Sequence, residues 1–250
     1  MKRWLPNLVR LVVLGLLIAL LVDPAAFTGV FQPFTQYGQP PIYTQSTLLG
    51  LTRDHLLIVA IATIASTVVA VSLAILVTRP IGAEFLALSR SIANIGQTFP
   101  PVAVLAIAVP LLGFGTAPTL VALFLYGLLP IFENALTGLT TLPPEVTEAA
   151  LGVGMTGPQR LLKVELPLAA PVILAGIRLS VVVSIATATI GSTVAAHTLG
   201  EVIIAGLTTN NTAWVLQGGL IVAVLAVLIY DALSALERRL MARSGRARAG

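Results

Sequence analysis

The sequence predicts an all-α membrane protein that crosses the bilayer about six times, at roughly 20 apolar residues per crossing. Composition is the first reason: 57% of the 250 residues are hydrophobic and 10% are charged, against about a quarter charged in soluble domains. The second is where the charges fall. Between Arg90 and Glu133 there is no Asp, Glu, Lys or Arg. A single helix of that length would be roughly 60 Å long, twice the hydrocarbon thickness of about 30 Å. The third is the breakers that divide the apolar runs; PLLGFGTAP, Pro110 to Pro118, turns the chain inside that long stretch.

Each span follows from a charge-free run and its ends. The first covers about 5–22, with Arg10 near enough to its start to snorkel to the interface. The basic start and apolar middle mimic a secretory signal, but further spans follow, so it reads as an uncleaved first helix. A loop rich in Pro, Gln, Tyr and Phe runs from Asp23 to Arg53 with no helical period. The second span is about 55–78, ending at Thr78-Arg79-Pro80; the third is about 94–112 and the fourth about 118–139. A charged elbow follows, then a fifth span of about 170–193, with Arg178 in its first turns. Residues 198–212 are too short to cross, and the sixth span is about 213–233. The expected organisation is residues 1–53 as a first helix plus loop, 54–235 as the main transmembrane domain, and 236–250 as a basic tail.

Of the 14 Lys and Arg residues, all but Arg53 and Arg178 fall in segments that share the N-terminal side of the membrane. Basic residues collect in cytoplasmic loops, so both termini and the elbow are expected inside the cell. The loop 23–53 and the segment 198–212 then face outward. The same bias explains a pI near 10.0 without a nucleic-acid partner. The chain has no cysteine, which excludes disulfides and thiolate chemistry. His55 and His197 stand alone, without carboxylate or cysteine neighbours at ligand spacing, so no metal site is expected.

The elbow, EAALGVGMTGPQRLLKVELP from Glu148 to Pro167, breaks this apolar pattern. The preceding prolines and acids suit a helix start. Val146, Ala149, Ala150 and Val153 then recur at one helical face. Gly152 and Gly154 can stop that helix. Thr156 with Gln159 is a capping box that starts a second helix, expected to end before Pro167. Such a hairpin either docks a partner protein or merely links spans four and five, and the residues alone favour neither.

The elbow also resembles the signature loop of permease subunits in ATP-driven (ABC) importers. That pattern is Glu-Ala-Ala, three residues, Gly, nine residues, a branched aliphatic, one residue, then Leu-Pro. Here it is matched by Glu148, Ala149, Ala150, Gly154, Val164, Leu166 and Pro167, with Val where isoleucine is more usual. The resemblance implies a type I importer permease fold with a cytoplasmic coupling helix over about 143–167. It implies a cytoplasmic ATPase subunit that binds ATP and Mg, a second permease copy or paralogue, and an extracytoplasmic solute-binding protein. By the family's pattern, residues 198–212 would be the external gate. The stretches Gly96 to Gly115, Ala122 to Ile131 and Gly154 to Arg178 are similar to permeases for glycine betaine, choline and related quaternary amines. Glu133-Asn134 departs from that likeness.

Candidate pathway residues are Glu133, in span four, and Ser184, Thr187 and Gly191 on one stripe of span five. An acidic residue inside a span faces water or a partner, or snorkels to the interface. The small polar stripe suits either a passage or close helix packing. No phosphate-binding G-x-x-x-x-G-K-[ST] loop exists in the chain, so it is expected to have no ATPase site, no cofactor and no catalysis of its own. The rival reading is a secondary transporter or channel, which usually carries its own coupling carboxylates and inverted repeats.

Overall fold

A computed structural model describes residues 5–36 and 38–243, and these are helical with no strand among them. The long elements are α1 (Leu5–Val22), α2 (Leu48–Val77), α3 (Leu86–Thr98), α4 (Pro101–Leu112) and α5 (Thr116–Thr140). They continue with α6 (Pro144–Gly152), α7 (Gly157–Arg160), α8 (Leu166–Thr187), α9 (Gly200–Thr208) and α10 (Thr212–Arg243). Four helical stretches are long and apolar enough to cross a membrane, or up to 6 if two bent pairs count as one span each. The fold is therefore an all-helical polytopic membrane fold. Lys2, Arg3 and residues 244–250 of the basic tail lie outside the described residues.

The spans differ from expectation in definite ways. The third is not one helix over 94–112. It breaks at Phe99, whose extended backbone (φ −101°, ψ 138°) precedes Pro100-Pro101, as the residue before a proline prefers. The loop after α1 is not structureless: residues Pro24–Phe34 form short helices bent 112° from α1. Helix α2 begins at Leu48, ahead of the expected 55, and α10 runs on to Arg243, past 233. Arg178 lies deep within α8, because that helix already begins at Leu166.

Contacts divide the chain into two compact units. The first takes the chain up to Ile61, Pro100–Leu123 and Val182–Ile229; the second takes Ala62–Phe99, Phe124–Val181 and the chain from Tyr230. In the second unit, alanines at 70, 74, 93, 135 and 169 are fully buried around Ile131 and Phe132. Small side chains let membrane helices approach closely. Gly96 is the extreme case: a Cβ there would lie 2.1 Å from the Leu125 carbonyl oxygen. Pro130 inside α5 cannot donate to the Tyr126 carbonyl one turn back. Gln97 Nε2 donates to that carbonyl at 2.9 Å instead, and the Tyr126 hydroxyl donates to the Phe99 carbonyl at the break. Backbone groups in lipid need such internal partners.

In the first unit, buried polar residues just before α10 and in its second turn hold the proline-rich loop. Asn211 Nδ2 donates to the Pro40 carbonyl at 3.0 Å, Gln217 Nε2 donates to the Pro41 carbonyl, and Gln217 Oε1 accepts from the Tyr43 amide at 3.1 Å. The Tyr43 ring stands edge-on to Trp214, centroids 5.3 Å apart. Its hydroxyl and that of Ser46 each donate to Glu201 Oε1 at 2.7 Å. The two segments expected on the same membrane face, 23–53 and 198–212, are thus packed together. His55, fully buried in α2, donates from Nε2 to the Ile185 carbonyl at 3.0 Å and accepts the Leu199 amide at Nδ1 at 3.3 Å.

Candidate functional site

The elbow is a helical hairpin. Helix α6 starts on Pro143-Pro144, with Glu145 in its first turn, where a proline costs no hydrogen bond and the helix dipole favours an acid. It ends in a Schellman motif: the Met155 amide bonds the Ala150 carbonyl at 3.0 Å, and the Gly154 amide bonds the Leu151 carbonyl at 2.9 Å. That motif needs a left-handed residue just past the cap, and Gly154 sits there at φ +75°. The glycine of the signature pattern thus has a local cause. Thr156 and Gln159 form the expected reciprocal cap, the Gln159 amide to Thr156 Oγ1 at 3.4 Å and the Thr156 amide to Gln159 Oε1 at 3.0 Å.

The second arm departs from expectation. The helix does not end before Pro167. It widens into a π turn over Leu161–Glu165, in which the Leu166 amide bonds the Leu161 carbonyl, and then continues as α8. Pro167 has no N–H for the usual i−4 bond, and a wider turn absorbs the mismatch without ending the helix. Leu161 and Leu166 pack against the buried core of their unit.

The stripe Val146, Ala149, Ala150 and Val153 does not form one exposed face. Ala150 is buried, whereas Val153 lies beyond the helix end and is 74% exposed. The apolar surface of the hairpin is instead Leu151 (55% exposed), Val153 and Leu162 (66%). Glu148, Ala149, Gly154 and Pro167 are exposed beside it, and Val164 and Leu166 are half-buried. Leu151 and Val153 lie between two candidate spans, and Leu162 lies near the start of the helical stretch Gly157–Val194 that forms the second of them; exposed leucine and valine at such a junction form the kind of patch that partner proteins cover.

One feature of the same segment is not legible in its sequence. Glu165 is buried, and its two carboxylate oxygens accept from two guanidiniums: Arg160 Nε at 2.7 Å, on the hairpin, and Arg79 Nη2, just past the end of α2. An acid that closely follows Arg160 and Lys163 is the available signal, but nothing in the sequence links it to position 79.

The pathway candidates divide between the two units, Glu133 in the second and Ser184, Thr187 and Gly191 in the first. Glu133 is bound by Arg90, from Nε at 2.6 Å and Nη2 at 3.1 Å. Ser184 is buried and Thr187 half-buried. Gly191 is packed on Thr119, whose Cγ2 and Oγ1 would lie 2.6 Å from an added Cβ. Arg178 is joined to Glu237 at 2.6 Å and to Ser234 at 2.8 Å, and it lies over the Tyr230 ring. His197 does have a carboxylate neighbour, Glu201, at 3.5 Å.

The all-helical membrane fold with a capped Glu-Ala-Ala hairpin is that of type I ABC importer permeases. A structure of the MetNI methionine ABC transporter in an inward-facing conformation superposes with a TM-score of 0.68 at 21% identity, covering 77% of this chain and 95% of that one. The chain belongs to the family described as the binding-protein-dependent transport system inner membrane component, whose model matches residues 70–242. It is 39% identical over 196 residues to the osmoprotectant import permease protein OsmY of Salmonella typhimurium, covering 78% of this chain and 83% of that protein. It is 39% identical over 195 residues to the glycine betaine/carnitine/choline transport system permease protein OpuCB of Bacillus subtilis, covering 77% and 88%.

Proposed function

We propose that this chain is the membrane-spanning subunit of an ATP-driven importer for a small osmoprotectant of the glycine betaine, choline or carnitine type. The hairpin carries the proposal. Its arms are fixed by a Schellman cap and a capping box, and its apolar surface, Leu151, Val153 and Leu162, is exposed. That is the geometry of a rigid knob offered to a separate protein. The occupant is an ATPase subunit, as membership of a binding-protein-dependent transport family supports.

In this reading Glu148, Ala149, Ala150, Gly154, Val164, Leu166 and Pro167 build the docking joint. Closure of two ATPase subunits displaces the hairpin, and the displacement enters α5 and α8 through the chain on either side of it. Two permease subunits, alike or paralogous, enclose the path. ATP and Mg are bound by the partner, and this chain performs no chemistry of its own. A solute-binding protein delivers substrate to the outer face, where α9 serves as the gate; at about 14 Å for its 9 residues it is too short to span. Both termini lie in the cytoplasm, as the distribution of Lys and Arg supports. The substrate class rests on the names of the relatives.

Uptake in bacteria lacking their own osmoprotectant importers tests this reading. With its ATPase and binding-protein partners co-expressed, the chain should import labelled glycine betaine, choline or carnitine, and excess methionine should not compete. Absence of uptake for all three compounds, with the complex present in the membrane, sinks the substrate assignment.

A further inference from the structure

We infer that Glu165 is a positioning residue for energy coupling: its carboxylate ties the hairpin to the end of α2 through Arg79, so that motion of the hairpin carries α2 with it. The inference rests on the importer reading given above.

Helices α5 and α8 are covalently continuous with the hairpin and need no further link. Helix α2 is remote in sequence, and its cytoplasmic-side end meets the hairpin through this ion pair and through the apolar core that Val77 shares with Leu161 and Leu166. The connection is stiff on both sides. Arg79 follows closely on α2, with its amide turned back to the Leu76 carbonyl at 3.1 Å, and Pro80 restricts the residue before it. Glu165 is the last residue of the π turn, whose first residue, Leu161, packs into the core with Leu166. An extra residue in the turn resets which side chains face inward, and π turns of this kind recur at functional positions.

One carboxylate serves two cations, with each oxygen taken by a different guanidinium. Replacing it therefore does more than remove a bond. It leaves Arg79 and Arg160, drawn together by the same acid, as two like charges facing each other in a partly buried place. The arms would separate there. The hairpin would still dock, and the ATPase would still turn over, but less of its stroke would reach α2, with only the apolar contacts of Leu161 and Leu166 left to carry it.

The test uses the full complex of permease, ATPase and binding protein in liposomes, with labelled glycine betaine, choline or carnitine as the transported probe. Glu165→Gln and Arg79→Gln should keep nucleotide hydrolysis while solute imported per ATP falls at least about fivefold, the low end of ordinary coupling between sites. Arg79→Lys, which retains the charge, should keep most of the ratio. Because the chain has no cysteine, spin labels placed by Ile81→Cys and Lys163→Cys, both exposed positions, report the joint directly. Their separation should stay constant on ATP addition when Glu165 is present and change when the Glu165→Gln substitution is added. An import-per-ATP ratio and a label separation both unchanged in the Glu165→Gln complex overturn the inference while leaving the importer reading intact. A wild-type complex that hydrolyses ATP and imports none of the three probes overturns that reading and this inference with it.

Discussion

Arg90 and Glu133, the two charges that bracket the longest charge-free stretch of the chain, are bonded to each other through two guanidinium nitrogens. The stretch between them turns back at Gly113 to Gly115, where positive-φ glycines let the chain reverse. The pair thus joins the two ends of the apolar segment, each charge countering the other.

That pairing makes an ordering of variants predictable. Glu133→Gln or Arg90→Gln alone leaves an uncompensated charge on a membrane helix, which is unfavourable. The double variant leaves none. Folded yield in the membrane and uptake should therefore be lower in each single variant than in the double. If Glu133 itself touched the solute, the double variant would transport no better than Glu133→Gln.

Gly154 tests the hairpin's local geometry. Nothing lies within 4 Å of a Cβ added there, so the cost of Gly154→Ala is the left-handed backbone alone, about 1–2 kcal/mol. Frayed capping should speed hydrogen exchange at the Gly154 and Met155 amides and weaken ATPase docking, without loss of the folded spans. Gly154→Leu should uncouple uptake more severely. Unchanged uptake in whole cells expressing Gly154→Leu would count against a mechanical role for the hairpin.

Tyr43 makes the loop between α1 and α2 sensitive to alkali. Burial, and then the hydrogen bond and charge of Glu201, raise the phenol above its usual pKa. The folded state therefore holds this proton more tightly than the unfolded chain, whose phenol titrates near 10. The resulting stabilisation is complete below about pH 10 and is lost as pH rises beyond it. Tyr43→Phe should be less stable at neutral pH by about 1 kcal/mol and show a shallower decline above pH 10. Thermal melts of the detergent-solubilised protein across that range measure both effects.

His55 pairs a carbonyl of α8 with the amide of Leu199, the residue before α9. Bonding to a carbonyl requires the proton on Nε2, which leaves Nδ1 to accept. His55→Ala strands both buried backbone groups at roughly 1–3 kcal/mol each. For a chain of this size that lowers Tm by at least about 4 °C. A melt indistinguishable from wild type would show that water or a shifted backbone replaces both bonds.

Much of this is legible from short-range pattern. The capping box at Thr156, the glycine stop at Gly154 and the apolar runs each depend on residues within a few positions of one another. The misplaced boundaries share a cause. Pro167 reads as a helix stop because its missing N–H breaks the α register, yet a π turn supplies another register. The break at Phe99 is signalled by Pro100-Pro101 but masked by apolar residues on both sides. Long-range pairings are the least legible: Arg79 with Glu165, Arg90 with Glu133 and Arg178 with Glu237 join distant positions. Charge sign alone does not say which acid meets which base. Gly191 and Ser184 are consistent with a passage and with packing alike, since both need small residues.

Transport by the purified chain in sealed liposomes, alone and with its ATPase and binding protein, is the most direct measurement. Labelled glycine betaine, choline or carnitine should accumulate against its gradient when ATP, the ATPase and the binding protein are all present, and not when any one is withheld. Uphill accumulation by this polypeptide without a nucleotide-hydrolysing partner would contradict the assignment outright.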